Sequence, residues 1–248
     1  MKKRIKKIAI GILAVFAVCY GALSIYSADY YHADQNAVDA LQSSGSVTVI
    51  ATDDMVLFRP ETAKAGFVFY PGGKVEHTAY APLMQKLAQN DIACVITKMP
   101  FNLAVMDADA ADKAVGLLGN IDSLYIGGHS LGGSMAASYI DKTKYDFDGL
   151  VMIAAYSTAD LADNDINVLL VNAGNDNVLN HDKYSEYMDN LPASSWGYHI
   201  TGGNHAQFGS YGQQKGDGIA TVSAQEQLEF TAEAIISFIM QEEPFDKK

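Results

Sequence analysis

Tyr125-Ile126-Gly127-Gly128-His129-Ser130-Leu131-Gly132-Gly133-Ser134-Met135-Ala136-Ala137 is the stretch on which the reading of this chain turns. Apolar residues lead into it, Gly128-x-Ser130-x-Gly132 bends it, and small residues continue it. That order predicts a buried strand, a turn too tight for large side chains beside Ser130, and a helix over 131–140. A serine on such a turn is held in a strained conformation at the strand's carboxyl end. Leu131, first in the helix, has an N–H with no intrahelical partner and can aim it at a developing oxyanion. Ser130 is therefore a candidate nucleophile and Leu131 N–H a candidate oxyanion donor.

Outward from that turn, short apolar runs alternate with helical patterns. The runs fall at 67–70, 93–97, 124–126, 150–154, 168–171 and 198–200, with helices expected near 82–89, 108–118, 131–140, 181–191 and 224–240. Ahead of them, Thr52-Asp53-Asp54 separates 47–50 from 55–58 as a hairpin would. Ser223 and Glu226 stand at capping-box spacing before the last helix. Buried runs alternating with amphipathic helices predict an α/β domain: a mostly parallel central sheet with helices on both faces. Function in such sheets collects at the strands' carboxyl ends. Thirteen of the 21 glycines lie there, at 72–73, 127–133, 174 and 202–218.

A serine hydroxyl needs an imidazole to take its proton. Of six histidines, His205 alone follows the final strand in a glycine-rich loop, Thr201-Gly202-Gly203-Asn204-His205-Ala206-Gln207-Phe208-Gly209. His32 precedes the domain, His77 precedes the first helix, His181 starts a helix and His199 lies in a strand. His129, inside the turn, is expected to point into packing. The orienting acid should follow the penultimate strand, and Asp176 does; Asp160, Asp163 and Asp165 come before it, at the wrong end. A second oxyanion donor is expected from Pro71-Gly72-Gly73-Lys74-Val75, as Gly73 N–H or Lys74 N–H. The Lys74 side chain either meets an anionic substrate group or is solvated.

With these residues in place, the chain resembles the α/β-hydrolase superfamily, closest to its bacterial fold-5, dienelactone-hydrolase-like branch. The resemblance rests on Tyr70-Pro71-Gly72-Gly73-Lys74-Val75, Met99-Pro100-Phe101-Asn102-Leu103-Ala104, Gly128-His129-Ser130-Leu131-Gly132-Gly133 and the Gly202–Gly209 loop, and spans roughly 46–240. It implies an α/β-hydrolase fold with a Ser130–Asp176–His205 triad in that family's chain order. Dienelactone hydrolases proper use a cysteine nucleophile where this chain has Ser130, so their substrate does not carry over. Cys94 is expected to be core packing.

Charge divides the chain. Of 17 basic residues, five stand in 1–28 with no acid; the remaining 12 face 29 acidic residues, a net of −17. The 19 residues 8–26 are uncharged and mostly apolar. At about 1.5 Å per residue they nearly match a bilayer core of roughly 30 Å. Residues 1–28 therefore read as an N-terminal transmembrane helix, a signal anchor; Ala22-Leu23-Ser24 leaves a weak site for cleavage as a signal peptide. Basic residues stay cytoplasmic, placing the acidic body outside. Residues 29–45 read as a membrane-proximal stalk and 46–248 as the hydrolase domain. A net charge of −12 excludes nucleic acid as a partner, and two cysteines supply neither a disulfide framework nor a four-cysteine zinc site.

The expectation is a membrane-anchored, extracytoplasmic serine hydrolase acting on a small-molecule acyl substrate, an ester or thioester, with no metal or organic cofactor. The competing expectations are a non-catalytic binding protein of the same fold at the cell surface, and a peptidase or lipase. The dozen or so residues after the 150–154 run leave no room for a substantial lid.

Overall fold

The computed structural model describes residues 2–241 of the 248; the last seven residues of the expected domain lie outside the described residues. Eight strands form one sheet: β1 (Val47–Ala51), β2 (Met55–Pro60), β3 (Ala65–Tyr70), β4 (Ile92–Thr97), β5 (Leu124–His129), β6 (Gly149–Ile153), β7 (Asn167–Ala173) and β8 (Trp196–Ile200). Their order is β1-β2-β4-β3-β5-β6-β7-β8, and all neighbours from β4 to β8 run parallel. Only β2 opposes the rest, pairing antiparallel with β1 and β4. The sheet is mostly parallel, with helices on both faces, as the alternating pattern predicts.

β3 shows why a continuous apolar run was required. Phe67 and Phe69 join one core cluster with Tyr80, Leu83, Ile235 and Phe238, while Val68 and Tyr70 join the other with Ile126, Ala136 and Met152. The first cluster lies under α3 (Ala81–Ala88) and α7 (Ala224–Met240), the second under α4 (Ala111–Leu118) and α5 (Leu131–Ile140). Each fully buried large apolar side chain contributes on the order of 1.5–3 kcal/mol. Cys94 is one of these buried packing residues. At the start of α7 the Ser223 Oγ accepts from Glu226 N–H while Glu226 accepts from Ser223 N–H, the expected capping box. The helix expected over 181–191 is shorter: α6 (His181–Glu186) ends early and a 3-10 turn, Met188–Asn190, follows.

Two N-terminal helices precede the sheet, α1 (Lys2–Ala28) and α2 (Gln35–Asp39). Within α1, Arg4–Ala28 is long and apolar enough to cross a membrane.

Residues 29–45 do not form a free stalk. Tyr31 pairs with Val75 as an isolated parallel bridge, Tyr31 N–H donating to Lys74 O and Glu76 N–H to Tyr31 O, both at 2.8 Å. Asp34 N–H donates to Ser210 O, Lys215 N–H to the Tyr31 hydroxyl, and Ala37 is fully buried. The segment is a strap across the carboxyl edge of the sheet. Its polar composition hid this because its partners lie 40 to 180 residues away and bind it through main-chain groups, which leave no side-chain pattern.

Candidate active site

β5 ends at His129, and Ser130 follows with φ 51° and ψ −120° before α5 begins. That is left-handed φ for a non-glycine residue, strain that persists only where its surroundings impose it. Here they do: Ser130 N–H donates to Ile153 O on β6, and Ser130 O accepts from Ser134 N–H. A Cβ on Gly132 would stand 2.1 Å from Tyr70 O and 2.4 Å from Pro71 O, so only glycine lets the helix start this close to β3. Ser130 is half-buried at the strand's carboxyl end.

His205 and Asp176 meet each other directly. His205 Nδ1 lies 2.8 Å from Asp176 Oδ2, with both side chains almost wholly buried. The other carboxylate oxygen, Oδ1, accepts from Val178 N–H and Leu179 N–H, each at 2.8 Å. Burial pushes the Asp176 carboxyl up; hydrogen bonding and charge from His205, with the two backbone donors, outweigh it and hold it below the usual carboxylate value. Asp176 is thus an anion fixed in orientation, with one oxygen given to the imidazole. The His205 ring packs 4.4 Å, centroid to centroid, from that of His129, next in sequence to Ser130. That ring contact brings the His205–Asp176 pair to the residue that precedes Ser130.

The loop after β3 supplies the opposite wall. A Cβ on Gly73 would lie 3.0 Å from Leu131 Cδ2, so the two candidate donors sit together. Lys74 N–H, the other candidate, donates to Asn102 O at 2.8 Å. Its side chain turns instead to the N-terminal segment, with Nζ 3.4 Å from Asp29 Oδ2 and 4.6 Å from the Tyr26 ring centre. Lys74, Phe101 and Asn102 all carry positive φ, so this rim holds three further strained residues.

Several residues that frame the corner carry no sequence signal of the kind that found the triad. Tyr80 is fully buried; its hydroxyl accepts from Gly72 N–H at 3.0 Å and lies 2.8 Å from His129 Nδ1. With the hydroxyl proton given to His129, the ring's own proton is on Nε2, which has no partner among the described residues. Burial first, then His205, holds His129 well below the usual histidine value, so it stays neutral. Asp217 accepts from Ala206 N–H and Gly218 N–H at 2.8 Å and from Asn177 N–H at 3.3 Å, tying the His205 loop to the Asp176 loop. Gln227, on α7 and fully buried, bonds both N–H and C=O of Asn204. In sequence the loop from Gly209 to Gly218 reads either as one wall of the site or as a polar surface loop, and Tyr80 carries no signal. Among the described residues no group of three or more His, Cys, Asp or Glu side chains is placed to hold a metal ion.

A model of the alpha/beta hydrolase family matches residues 66–229, two thirds of the chain. The chain belongs to the alpha/beta hydrolase family. Among solved structures this hydrolase is similar to TT1662 from Thermus thermophilus, at 11% identity and TM-score 0.55 over 75% of this chain and 97% of that one. Est1E from Butyrivibrio proteoclasticus matches at 12% identity and TM-score 0.56, over 79% and 98%. A predicted CIB-like hydrolase from Thermoplasma acidophilum matches at 14% and 0.54, over 77% and 97%. At these identities the likeness concerns the fold alone. No curated protein matches the chain.

Proposed function

We propose that the protein is a membrane-anchored serine hydrolase that cleaves an ester, thioester or related acyl bond outside the cytoplasm. The observation that supports this reading is the strained Ser130 turn together with a buried His205–Asp176 pair at 2.8 Å, whose imidazole packs on His129, the residue before Ser130. Ser130 Oγ attacks the acyl carbon and its proton passes to His205 Nε2, the nitrogen that Asp176 leaves unoccupied. Leu131 N–H and Gly73 N–H hold the negative oxygen of the tetrahedral intermediate. The C–O or C–S bond breaks, and the alcohol or thiol leaves with the proton from His205 Nε2. Water, deprotonated by the same nitrogen, then attacks the acyl-serine; the acid is released and Ser130 recovers its hydrogen. Asp176 keeps Nδ1 protonated throughout and stabilises the imidazolium.

Anchoring rests on α1. The 21 residues between Lys7 and Asp29 are uncharged, about 32 Å of helix against a bilayer core of roughly 30 Å. Contacts of its last turns with the body favour retention over cleavage. The Tyr20 and Phe101 rings meet edge to face at 5.6 Å, and cleavage near Ala22-Leu23-Ser24 removes that contact.

The test is a panel of short soluble esters and thioesters offered to the full chain and to His205→Ala. Turnover abolished by the substitution is expected. A wild-type protein inert on the whole panel, or a fully active His205→Ala, overturns the reading and favours the non-catalytic binding protein.

A further inference from the structure

The geometry points to a substrate that resides in the membrane: the acyl bond this site takes belongs to a long-chain amphiphile presented by the bilayer to which α1 is anchored. This rests on the hydrolase and anchor readings above and adds to them the source of the substrate.

The inference starts from where α1 touches the body. Tyr20 meets Phe101, whereas the first charge after the apolar run is Asp29. Tyr20 lies eight residues before Ala28, so the contact is about 12 Å inside the uncharged stretch. With only about 32 Å of uncharged helix to span roughly 30 Å of hydrocarbon, the helix has almost no freedom to slide outward. Phe101 is therefore held on the acyl side of the headgroup boundary, about 10 Å into the span. Further out, toward the end of α1, the hollow that Phe101 lines with Ser27 and Tyr30 also carries Asp54, Glu76 and Lys98, charges suited to water and headgroups.

Phe101 belongs to the loop after β4, on the carboxyl edge of the sheet where Ser130 stands. A 3-10 turn, Ala104–Met106, follows it and packs against α5, the helix that Ser130 starts. Val105 and Met106 on that turn are 56% and 45% exposed. Leu103, just before them, is 3.8 Å from where a Cβ on Gly73 would sit, beside the candidate oxyanion donors. An apolar lip thus runs from the anchoring helix, over Val105 and Met106, to the mouth of the site. Asp107 and Asp109 follow at once, which confines the contact to the apolar tips and suits zwitterionic rather than anionic headgroups. No helix stands between β6 and β7, over residues 154–166, to cover the mouth. The bilayer itself closes the site, and an acyl chain enters from it without crossing water.

The experiment uses the full chain reconstituted in phosphatidylcholine vesicles. The protein has a single tryptophan, Trp196, which opens β8 at the amino edge of the sheet. Fluorescence of the wild type should be insensitive to brominated phosphatidylcholine. The Met106→Trp variant in a Trp196→Phe background should lose at least half its emission. Equal quenching of the two proteins overturns membrane contact by the lip. The second arm compares a long-chain acyl ester in the bilayer with a water-soluble short-chain ester, for wild type and for Val105→Asp/Met106→Asp. Turnover of the bilayer ester is expected to fall at least tenfold and that of the soluble ester to change less than twofold, which also reports that the variant folds. Parallel effects on both esters, or none on either, overturn the proposal. A wild type that turns over neither ester fails as a hydrolase, which is a different failure from one that turns over only the soluble ester.

Discussion

Replacing Asp176 by asparagine separates geometry from charge at the candidate triad. Oδ1 accepts two backbone N–H groups at 2.8 Å. An amide NH2 turned toward them would leave two buried donors unpaired, at about 1–3 kcal/mol each. The amide oxygen therefore keeps the Oδ1 position and the NH2 faces His205 Nδ1, where Oδ2 stood at 2.8 Å. Two donors cannot face each other, so His205 moves its proton to Nε2 and can no longer accept from Ser130. A tautomer error of this kind costs roughly 10⁴ in kcat in a Ser-His-Asp enzyme, about 5.5 kcal/mol of transition-state stabilisation. Stability should fall far less, by about 1–2 kcal/mol, because one charge-assisted bond becomes neutral. The assay is kcat on a soluble ester at pH 7–8 alongside urea denaturation of the same preparation. Asp176→Asn retaining more than a tenth of wild-type kcat, or losing activity only in step with unfolding, refutes the reasoning.

Other perturbations test the frame around the site. Tyr80→Phe leaves Gly72 N–H and His129 Nδ1 unpaired in a dry corner, so the urea midpoint should report a loss of about 2–5 kcal/mol; a wild-type midpoint contradicts the network. In Gly132→Ala the new Cβ meets two backbone oxygens that no rotamer change can move, and at least about 1–3 kcal/mol should be lost along with fluorophosphonate labelling. Acid should destabilise the fold in two stages. His129, held well below its ordinary 6.5, and His77, pushed down to about 4 by burial and then by Lys98, stay neutral when the unfolded chain takes up their protons, so stability begins to drop as pH falls through about 6.5. Asp176, held below its ordinary 3.8, contributes stability above that value, and this is lost as pH falls through its lower folded value. His129→Gln should reduce the slope of the first stage in urea titrations at pH 7, 6 and 5, leaving the His77 part, and an unchanged slope removes His129 as a contributor.

What the sequence revealed has a physical pattern. The strands β2 to β7 were legible because each is a mostly buried run with its own hydrophobic signature, and the Ser130 turn because its glycines are a local necessity. Asp176 and His205 stand out as candidates by their place after strands, since the topology of a parallel sheet sends those loops to one edge. The contacts of the 29–45 segment were not legible because Tyr31, Asp34 and Ala33 bind distant loops through main-chain groups. Tyr80 was invisible as a partner of Gly72 and His129, since a tyrosine before a helix gives no hint of where its hydroxyl ends. Gly73 and Lys74 were inseparable in sequence; the Lys74–Asn102 bond, a contact between two loops, distinguishes them.

The central claim is that Ser130 is the nucleophile, and covalent capture tests it most directly. The protein is treated with a fluorophosphonate, digested, and mapped by mass spectrometry. A single adduct on the peptide carrying Ser130, lost in Ser130→Ala and strongly slowed in His205→Ala, is the predicted result. An adduct on another residue, or equal labelling of wild type and Ser130→Ala, contradicts it.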